Sequence, residues 1–309
     1  MRIVRHAAPG GPATAVAIGS FDGVHRGHAA ILGRVRERAR ELGVASAVLT
    51  FEPLPREFFR PGEAPARLTS LGERLAQFAL QGIDAAFVER FDARFAALDA
   101  DAFARRLAQR YGARAVLVGE DFRYGSGRAG DVAALRRAGR ALGFEVDTLP
   151  AVTDGGERIS STRVREALAG GDFEAAARLL GRRYAICGRV VHGAKRGRLL
   201  GFPTANVRLA RPRAPLHGIF AVKCHGVATR GLEGVASLGI NPAVQVGGPS
   251  TLEAYLFDFS GDLYGRRVSI EFLKKLRDEA PFASLAELAA QIGRDCDAAR
   301  AFFGSRATR

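Results

Sequence analysis

Several residue types that mark other classes of protein are scarce or absent in this chain of 309 residues. Its three cysteines, Cys187, Cys224 and Cys296, are scattered and form no Cys-x-x-Cys pair. An odd number at such spacing predicts neither a disulfide framework nor a zinc ribbon, so we expect reduced and mostly buried thiols. The chain also contains no His-Glu-x-x-His metalloprotease motif and no Gly-x-x-x-x-Gly-Lys-[Ser/Thr] phosphate loop, which excludes those two classes of site.

Long apolar runs are missing as well. None approaches the roughly 18 residues that a membrane-spanning helix needs, and the N-terminus lacks the pattern of a cleavable signal. We therefore expect a cytoplasmic location and no membrane partner. With 47% hydrophobic residues, the chain can still form two sizeable cores.

Carboxylates are absent from one long segment. The net charge is +14, and residues 175–232 include twelve lysines and arginines but no aspartate or glutamate. An RNA-binding arm would interleave stacking aromatics or run as a continuous basic helix, whereas glycine, proline and β-type residues break this segment, which favours polyphosphate recognition. We expect no nucleic-acid partner, and a basic RNA-binding protein is the alternative of a different class.

Apolar strands and amphipathic helices alternate over residues 1–182. Strands are predicted near 14–18, 44–50, 84–88, 114–118 and 144–149. Helices are predicted near 28–42, 71–81, 99–110 and 130–142. The alternation predicts right-handed βαβ crossovers and a parallel, doubly wound α/β sheet, which binds ligands at the carboxyl ends of its strands.

The sequence changes character after Gly181. Short β-rich runs lie near 184–191, 218–224, 233–238, 251–258 and 266–272. They predict a small antiparallel barrel, and the break predicts two domains, 1–182 and 183–309. A last helix near 284–302, capped by Ser284, should pack on the barrel. The apolar face of that helix would consist of Leu285, Leu288, Ala289, Ile292 and Cys296.

The segment Gly19–His28 places two histidines, His25 and His28, where the first predicted strand turns into a helix. Unpaired N–H groups and the positive end of the helix dipole attract anions there, and the histidines can donate hydrogen bonds to a phosphate. Histidines three residues apart can also be a surface or metal pair. Zinc, however, would need a third ligand.

A second motif, Arg158–Arg165, opens a helix that runs to about Ala169. Its hydroxyls and N–H groups cap the helix, and the planar guanidinium of Arg165 suits phosphate oxygens. Alone, this motif indicates a helix cap, but together with the histidine segment it predicts the other wall of an ATP site. The glycine-rich loop 119–127 should lie at the same sheet edge.

These motifs resemble those of known families. The first is similar to the HxGH signature of the nucleotidyltransferase superfamily, and the second resembles its ISSTxxR form. Segments 190–207 and 252–265 resemble the signature of riboflavin kinases. From about Ala17 to Arg300, the chain resembles the prokaryotic bifunctional riboflavin kinase/FAD synthetase family.

This resemblance implies a Rossmann-like nucleotidyltransferase domain followed by a small β-barrel kinase domain with a C-terminal helix. The kinase would convert riboflavin and ATP to FMN and ADP, and the first domain would convert FMN and ATP to FAD and pyrophosphate. The partners would be small molecules, namely ATP, riboflavin and FMN, with Mg²⁺ as the cofactor of ATP. Self-association is left open.

The resemblance also implies residue roles. His25 and His28 would act in adenylyl transfer, and Glu253 would be the general base of the kinase. Thr204 and Asn206 would bind the metal. ATP and its phosphates would be bound by Gly19, Phe21, Asp22, Gly23, Gly27, Arg158, Ser161, Thr162, Arg165, Gly193, Arg198 and Gly201. The flavin would be bound by Asp121, Phe122, Gly125 and Arg277.

Without the resemblance, residues 203–206 indicate a proline turn with Asx capping, and Glu253 a solvated strand carboxylate. Two positions depart from the family pattern, Leu54 where many relatives carry His and Ala243 where Thr is usual. Among enzymes, the alternative is adenylyl transfer to another small acceptor such as a nicotinamide nucleotide. The Pro-Thr-Ala-Asn segment argues against that alternative.

Overall fold

The computed structural model describes residues 1–193, 197, 200–211, 213–240 and 250–307. By packing, the chain divides into two units. The first contains Met1–Pro65 and Leu71–Ser160, and the second contains Ala66–Ser70 and Ser161–Arg309.

A six-stranded parallel sheet forms the centre of the first unit. Its strands are β1 (Arg2–Val4), β2 (Thr14–Ile18), β3 (Ala45–Glu52), β4 (Ala85–Arg90), β5 (Ala113–Gly119) and β6 (Glu145–Leu149). They lie in the order β1-β4-β3-β2-β5-β6, every pair parallel. The five predicted strands are all present, and only the short edge strand β1 was not predicted.

Helices cover both faces of this sheet. They are α1 (Arg26–Glu41), α2 (Pro55–Phe59), α3 (Leu71–Leu80), α4 (Ala93–Ala96), α5 (Ala100–Arg110) and α6 (Val132–Leu142). A small hairpin, β7 (Thr153–Asp154) and β8 (Glu157–Arg158), follows. Successive β2 residues enter different cores: Ala15 and Ala17 pack with α1 and α3, while Val16 and Ile18 pack with α5 and α6. The sheet is therefore doubly wound, as predicted.

Strand β2 pairs with β3 on one side and with β5 on the other. The chain order reverses at this point, since later strands are added outward in both directions. The loops that follow β2 and β5 leave the sheet side by side at its carboxyl edge. That edge is where doubly wound sheets bind ligands.

The second unit contains a closed antiparallel barrel. Two helices, α7 (Ser161–Ala169) and α8 (Phe173–Leu180), precede it. Its strands are β9 (Ala185–Val191), β10 (Thr204–Arg208), β11 (Gly218–His225), β12 (Leu232–Ile240), β13 (Ser250–Leu256) and β14 (Arg267–Arg277). They close in the order β10-β13-β12-β11-β14-β9, each pair antiparallel. Strand β10 was not predicted, because the proline before it and its asparagine indicated a turn.

The long helix α9 (Leu285–Ala307) packs on the outside of the barrel. The Ser284 hydroxyl accepts the N–H of Glu287 at 3.1 Å, so the predicted cap is present. Cys296, Ala299 and Phe303 pack against barrel residues, whereas Leu285 is 66% exposed and does not extend the packed face as predicted.

None of the three cysteines forms a disulfide, as expected. Burial raises the pKa of the Cys224 and Cys296 thiols to about 11. Within the described ranges, no helix combines the length and apolar composition that a membrane crossing needs.

Candidate functional sites

The loop between β2 and α1 has an unusual backbone. Phe21 (φ 50°), Gly23 (φ 87°) and Val24 (φ 41°) all adopt positive φ. For a β-branched residue such as Val24 this conformation is a genuine outlier, and strain of this kind costs on the order of 1–3 kcal/mol per residue. Phe21 and Val24 are 1% and 2% exposed. Tertiary packing therefore holds the loop in a shape that its local preferences oppose.

This loop places the two histidines at the start of α1. His25 is the N-cap, and its Nδ1 accepts the N–H of His28 at 3.3 Å. The two rings stack with centroids 3.6 Å apart, and Phe21 meets the His28 ring edge-on at 5.1 Å. Because Nδ1 is an acceptor, the neutral ring of His25 carries its proton on Nε2, where it can be donated to a ligand. No acidic residue lies in the first turn of α1, so the helix N-terminus suits an anion.

Gly27 lies against the His25 ring, and a side chain there would require the ring to shift. A Cβ on Gly27 would lie 3.1 Å from Cε1 of His25 and 3.2 Å from Nδ1. A Cβ on Gly19 would lie 3.1 Å from the Phe21 ring, and Asp22 is 4% exposed. The residues predicted between Gly19 and His28 thus form one compact group.

The loop after β5 brings two predicted residues together. Arg158 donates two hydrogen bonds to Asp121, at 3.0 Å and 3.3 Å, which lower the pKa of that carboxyl. Both side chains are more than half exposed. The Phe122 ring stacks on Tyr124 with centroids 5.7 Å apart, and Gly125 adopts φ 74°.

The second motif lies in the other unit. Ser161 and Thr162 begin α7, and the Nε of Arg165 donates to the carbonyl of Ala66 at 2.6 Å. The segment Ala66–Ser70 is held further by Tyr184 and Arg211. The Tyr184 hydroxyl donates to the Leu68 carbonyl at 3.0 Å, and Arg211 donates to the same carbonyl at 2.6 Å. Arg165 thus binds backbone here, and its phosphate role stays a prediction.

The predicted kinase residues meet across two barrel strands. Asn206 on β10 pairs with Glu253 on β13, and the Thr204 hydroxyl donates to the Glu253 carboxylate at 3.2 Å. Leu252 and Ala254 are buried inside the barrel, so Glu253 and its partners face outward. The Pro-Thr-Ala-Asn segment therefore leads into a strand instead of the capped turn that was the alternative.

Glycines approach this group closely. A Cβ on Gly193 would collide with the Asn206 amide, so the backbone after β9 passes directly against that side chain. Gly201 lies at φ 84° shortly before β10. His192 and Tyr264 form a ring pair with centroids 3.8 Å apart beside Gly193, and sequence reasoning did not single them out.

Arg277 is bound to the C-terminal helix. It donates to both carboxylate oxygens of the buried Asp295, at 2.8 Å and 2.7 Å. This ion pair joins β14 to α9, and the flavin role of Arg277 stays a prediction. Arg198 and Ala243 lie outside the described residues. Leu54 is 8% exposed and immediately precedes α2.

Comparisons with known proteins match a different family model to each part of the chain. The family model described as FAD synthetase matches residues 10–163, and that described as riboflavin kinase matches residues 180–303. The chain is 48% identical to a bifunctional riboflavin kinase/FMN adenylyltransferase of Pseudomonas fluorescens over 293 residues, 94% of each chain. It is 47% identical to that of Escherichia coli K12 over 288 residues, 93% of this chain and 92% of the relative.

Among solved structures, it is similar to a crystal structure described as a macrolide-efflux protein from Streptococcus pneumoniae. The TM-score is 0.76 at 29% identity, over 96% of this chain and 97% of the other.

Proposed function

This chain belongs to the family of bifunctional riboflavin kinases/FMN adenylyltransferases, and from that premise we propose how its residues divide the two reactions. The chain is a transferase that makes both flavin cofactors. Its C-terminal part converts riboflavin and ATP to FMN and ADP. Its N-terminal part converts FMN and ATP to FAD and pyrophosphate.

We place the functional boundary at residues 182 and 183. The matched regions, 10–163 and 180–303, support a boundary there. Helix α8 precedes it, yet Phe173 of α8 packs edge-on to Phe220 of β11 with centroids 5.9 Å apart. The folding unit of the barrel therefore begins before the catalytic domain does.

In adenylyl transfer, the nucleophile is the phosphate of FMN, which is already anionic at neutral pH. A phosphate oxygen attacks the α-phosphorus of ATP, the new P–O bond forms, and the bond to pyrophosphate breaks. This step needs hydrogen-bond donors for the growing negative charge instead of a base. His25, through Nε2–H, His28 and the N–H groups that open α1 supply such donors.

Phosphorylation of riboflavin makes the opposite demand. Its nucleophile is a neutral ribityl hydroxyl, which must lose a proton as it attacks the γ-phosphorus of ATP. Glu253 accepts that proton, and the Thr204 hydroxyl orients the carboxylate. The single observation that carries this assignment is the 3.2 Å bond between Thr204 and Glu253, with Asn206 paired opposite.

Thr204 and Asn206 would hold Mg²⁺, for which hard, uncharged oxygen ligands are suitable when ATP phosphates and water complete the octahedron. Among the described residues, no three His, Cys, Asp or Glu side chains form a metal cluster. Bound with ATP, the metal would neutralise phosphate charge.

The direct test is to incubate the full chain with riboflavin, ATP and Mg²⁺ and to separate FMN from FAD by chromatography. Sequential appearance of FMN and FAD is expected, and omission of Mg²⁺ should abolish FMN formation. Adenylylation of a nicotinamide nucleotide in place of FMN would instead favour the other acceptor, and tight, salt-sensitive RNA binding without turnover would favour the RNA-binding alternative. Cytoplasmic location and the absence of membrane or nucleic-acid partners stay predictions.

A further inference from the structure

A fully buried arginine lies behind the histidine loop. Arg74 of α3 is 0% exposed, and its guanidinium binds four acceptors. Nη1 donates to the Ser20 carbonyl at 2.8 Å and to the Thr50 hydroxyl at 2.9 Å. Nη2 donates to the Phe51 carbonyl at 3.3 Å and to the Glu52 carboxylate at 2.7 Å. A single side chain therefore holds acceptors from two separate segments.

Those two segments are the carboxyl ends of neighbouring strands. Ser20 lies two residues beyond β2 and directly before Phe21, the first residue of the loop with positive φ. Thr50, Phe51 and Glu52 end β3. The Thr50 hydroxyl also donates to the Ser20 carbonyl, at 3.4 Å. The planar fork of arginine can bind all these acceptors at once, which the single ammonium of lysine cannot.

Burial of the charged Arg74 side chain behind this loop calls for a physical explanation. Taking a guanidinium out of water is costly, and well-packed apolar residues often replace buried ion pairs without loss of stability. Strained backbone, by contrast, persists only where its surroundings over-determine it. The loop after Ser20 contains two strained residues and ends at His25, so its entry point must be fixed.

We propose that Arg74 is a positioning residue for adenylyl transfer, which fixes the Ser20 carbonyl and through it the loop that sets His25 and His28. The inference rests on the proposed role of those histidines. Arg74 itself would not contact the substrate. Substitution of Arg74 should therefore lower the rate of the chemical step more than it weakens substrate binding.

The test uses the full chain, because its kinase activity reports independently on folding. In Arg74→Lys, kcat of FAD formation from FMN should fall about 10- to 100-fold. Displacement of a catalytic group by about 1 Å can lower the rate by up to about 100-fold. KM for FMN and ATP should change little, and FMN formation should stay within about twofold of the wild-type rate. NMR signals of the His25 and His28 rings should shift.

The matched control is Arg106→Lys in the same unit. Arg106 donates to the Tyr111 hydroxyl at 3.0 Å and to Glu89 at 2.7 Å, bonds that join α5 to β4 instead of supporting the loop. This variant should keep both activities and leave the His25 and His28 signals in place. A folded Arg74→Lys protein that forms FAD as fast as the control would overturn the proposal, as would an equal fall of both activities.

If the Arg74→Lys protein does not fold, the variant Thr50→Val tests the same positioning role. It keeps the side-chain shape but removes the hydroxyl that accepts from Arg74 and donates to Ser20. FAD formation should fall about 3- to 10-fold, the effect of one hydrogen bond, and an unchanged rate would refute the role. Should His28→Ala also leave FAD formation intact, the proposed adenylylation site itself would be wrong.

Discussion

The two proposed sites of this chain are built in opposite ways. The adenylylation site uses a strained loop at a helix N-terminus and presents donors, because its nucleophile is already an anion. The kinase site uses regular strand positions on the outside of a closed barrel and presents a carboxylate, because its nucleophile must lose a proton. On the proposed assignments, the protonation state of the acceptor decides which residue types each site needs.

The substitution Glu253→Gln should have the largest effect on one activity alone. Glutamine keeps the shape and the bond from Thr204 but cannot accept a proton, so kinase kcat should fall about 10²- to 10⁴-fold with little change in riboflavin KM. FAD synthesis from supplied FMN should be unaffected. Glu233→Gln is the matched control, since Glu233 is a strand carboxylate paired with Lys223. A nearly normal kinase rate in Glu253→Gln would return Glu253 to the role of a solvated strand residue.

His28→Ala tests the other half of the comparison. Loss of one preorganised donor typically costs about 10²- to 10³-fold in rate, so FAD formation should fall by that factor while FMN formation persists. Steady-state rates of both reactions on one preparation check this. The exposed His6, mutated in the same way, should have no effect. An equal decline of the two reactions in a folded protein would mean that the sites are not separate.

Truncation tests where the barrel domain begins. The fragment Arg182–Arg309 should fold and phosphorylate riboflavin, but it lacks α8 and so uncovers Phe220, which is 0% exposed in the full chain. Its free energy of unfolding should be lower than that of the fragment Ser161–Arg309 by about 1.5–3 kcal/mol, which is the contribution of one buried phenylalanine. Urea unfolding of both fragments measures the difference. A well-folded but inactive shorter fragment would contradict the proposed domain boundary.

The smallest expected effect concerns the pair of Asp121 and Arg158. The hydrogen bond from Arg158 lowers the pKa of Asp121, so the pair stabilises the folded protein above the ordinary carboxyl pKa, and this contribution disappears as the pH falls through the folded-state pKa. Because both side chains are more than half exposed, Asp121→Asn should cost less than about 0.5 kcal/mol at neutral pH. In urea unfolding at both pH values, this small difference should be smaller at pH 3 than at pH 7.

The sequence was a good guide wherever the information is local. The β2 strand and the adjoining histidines are contiguous, and their spacing alone predicted a helix N-terminus. Glu253 and Asn206 meet only through strand register, which periodicity cannot supply for a strand that begins after proline. The resemblance to a family was needed there. Arg74 could not be predicted, because an arginine in an amphipathic helix is usually solvated and only the tertiary fold shows its acceptors.

The segment Ala66–Ser70 has a consequence for synthesis on the ribosome. Its main anchor, Arg211, lies 143 residues after Leu68. At about 5–20 residues per second, the ribosome produces that anchor about 7–30 s after the segment itself. Strands β2 and β3 are complete well before then, whereas the linker between α2 and α3 lacks this anchor until Arg211 is made. A nascent chain of this enzyme should therefore expose a protease-sensitive linker until Arg211, which follows β10, has been translated.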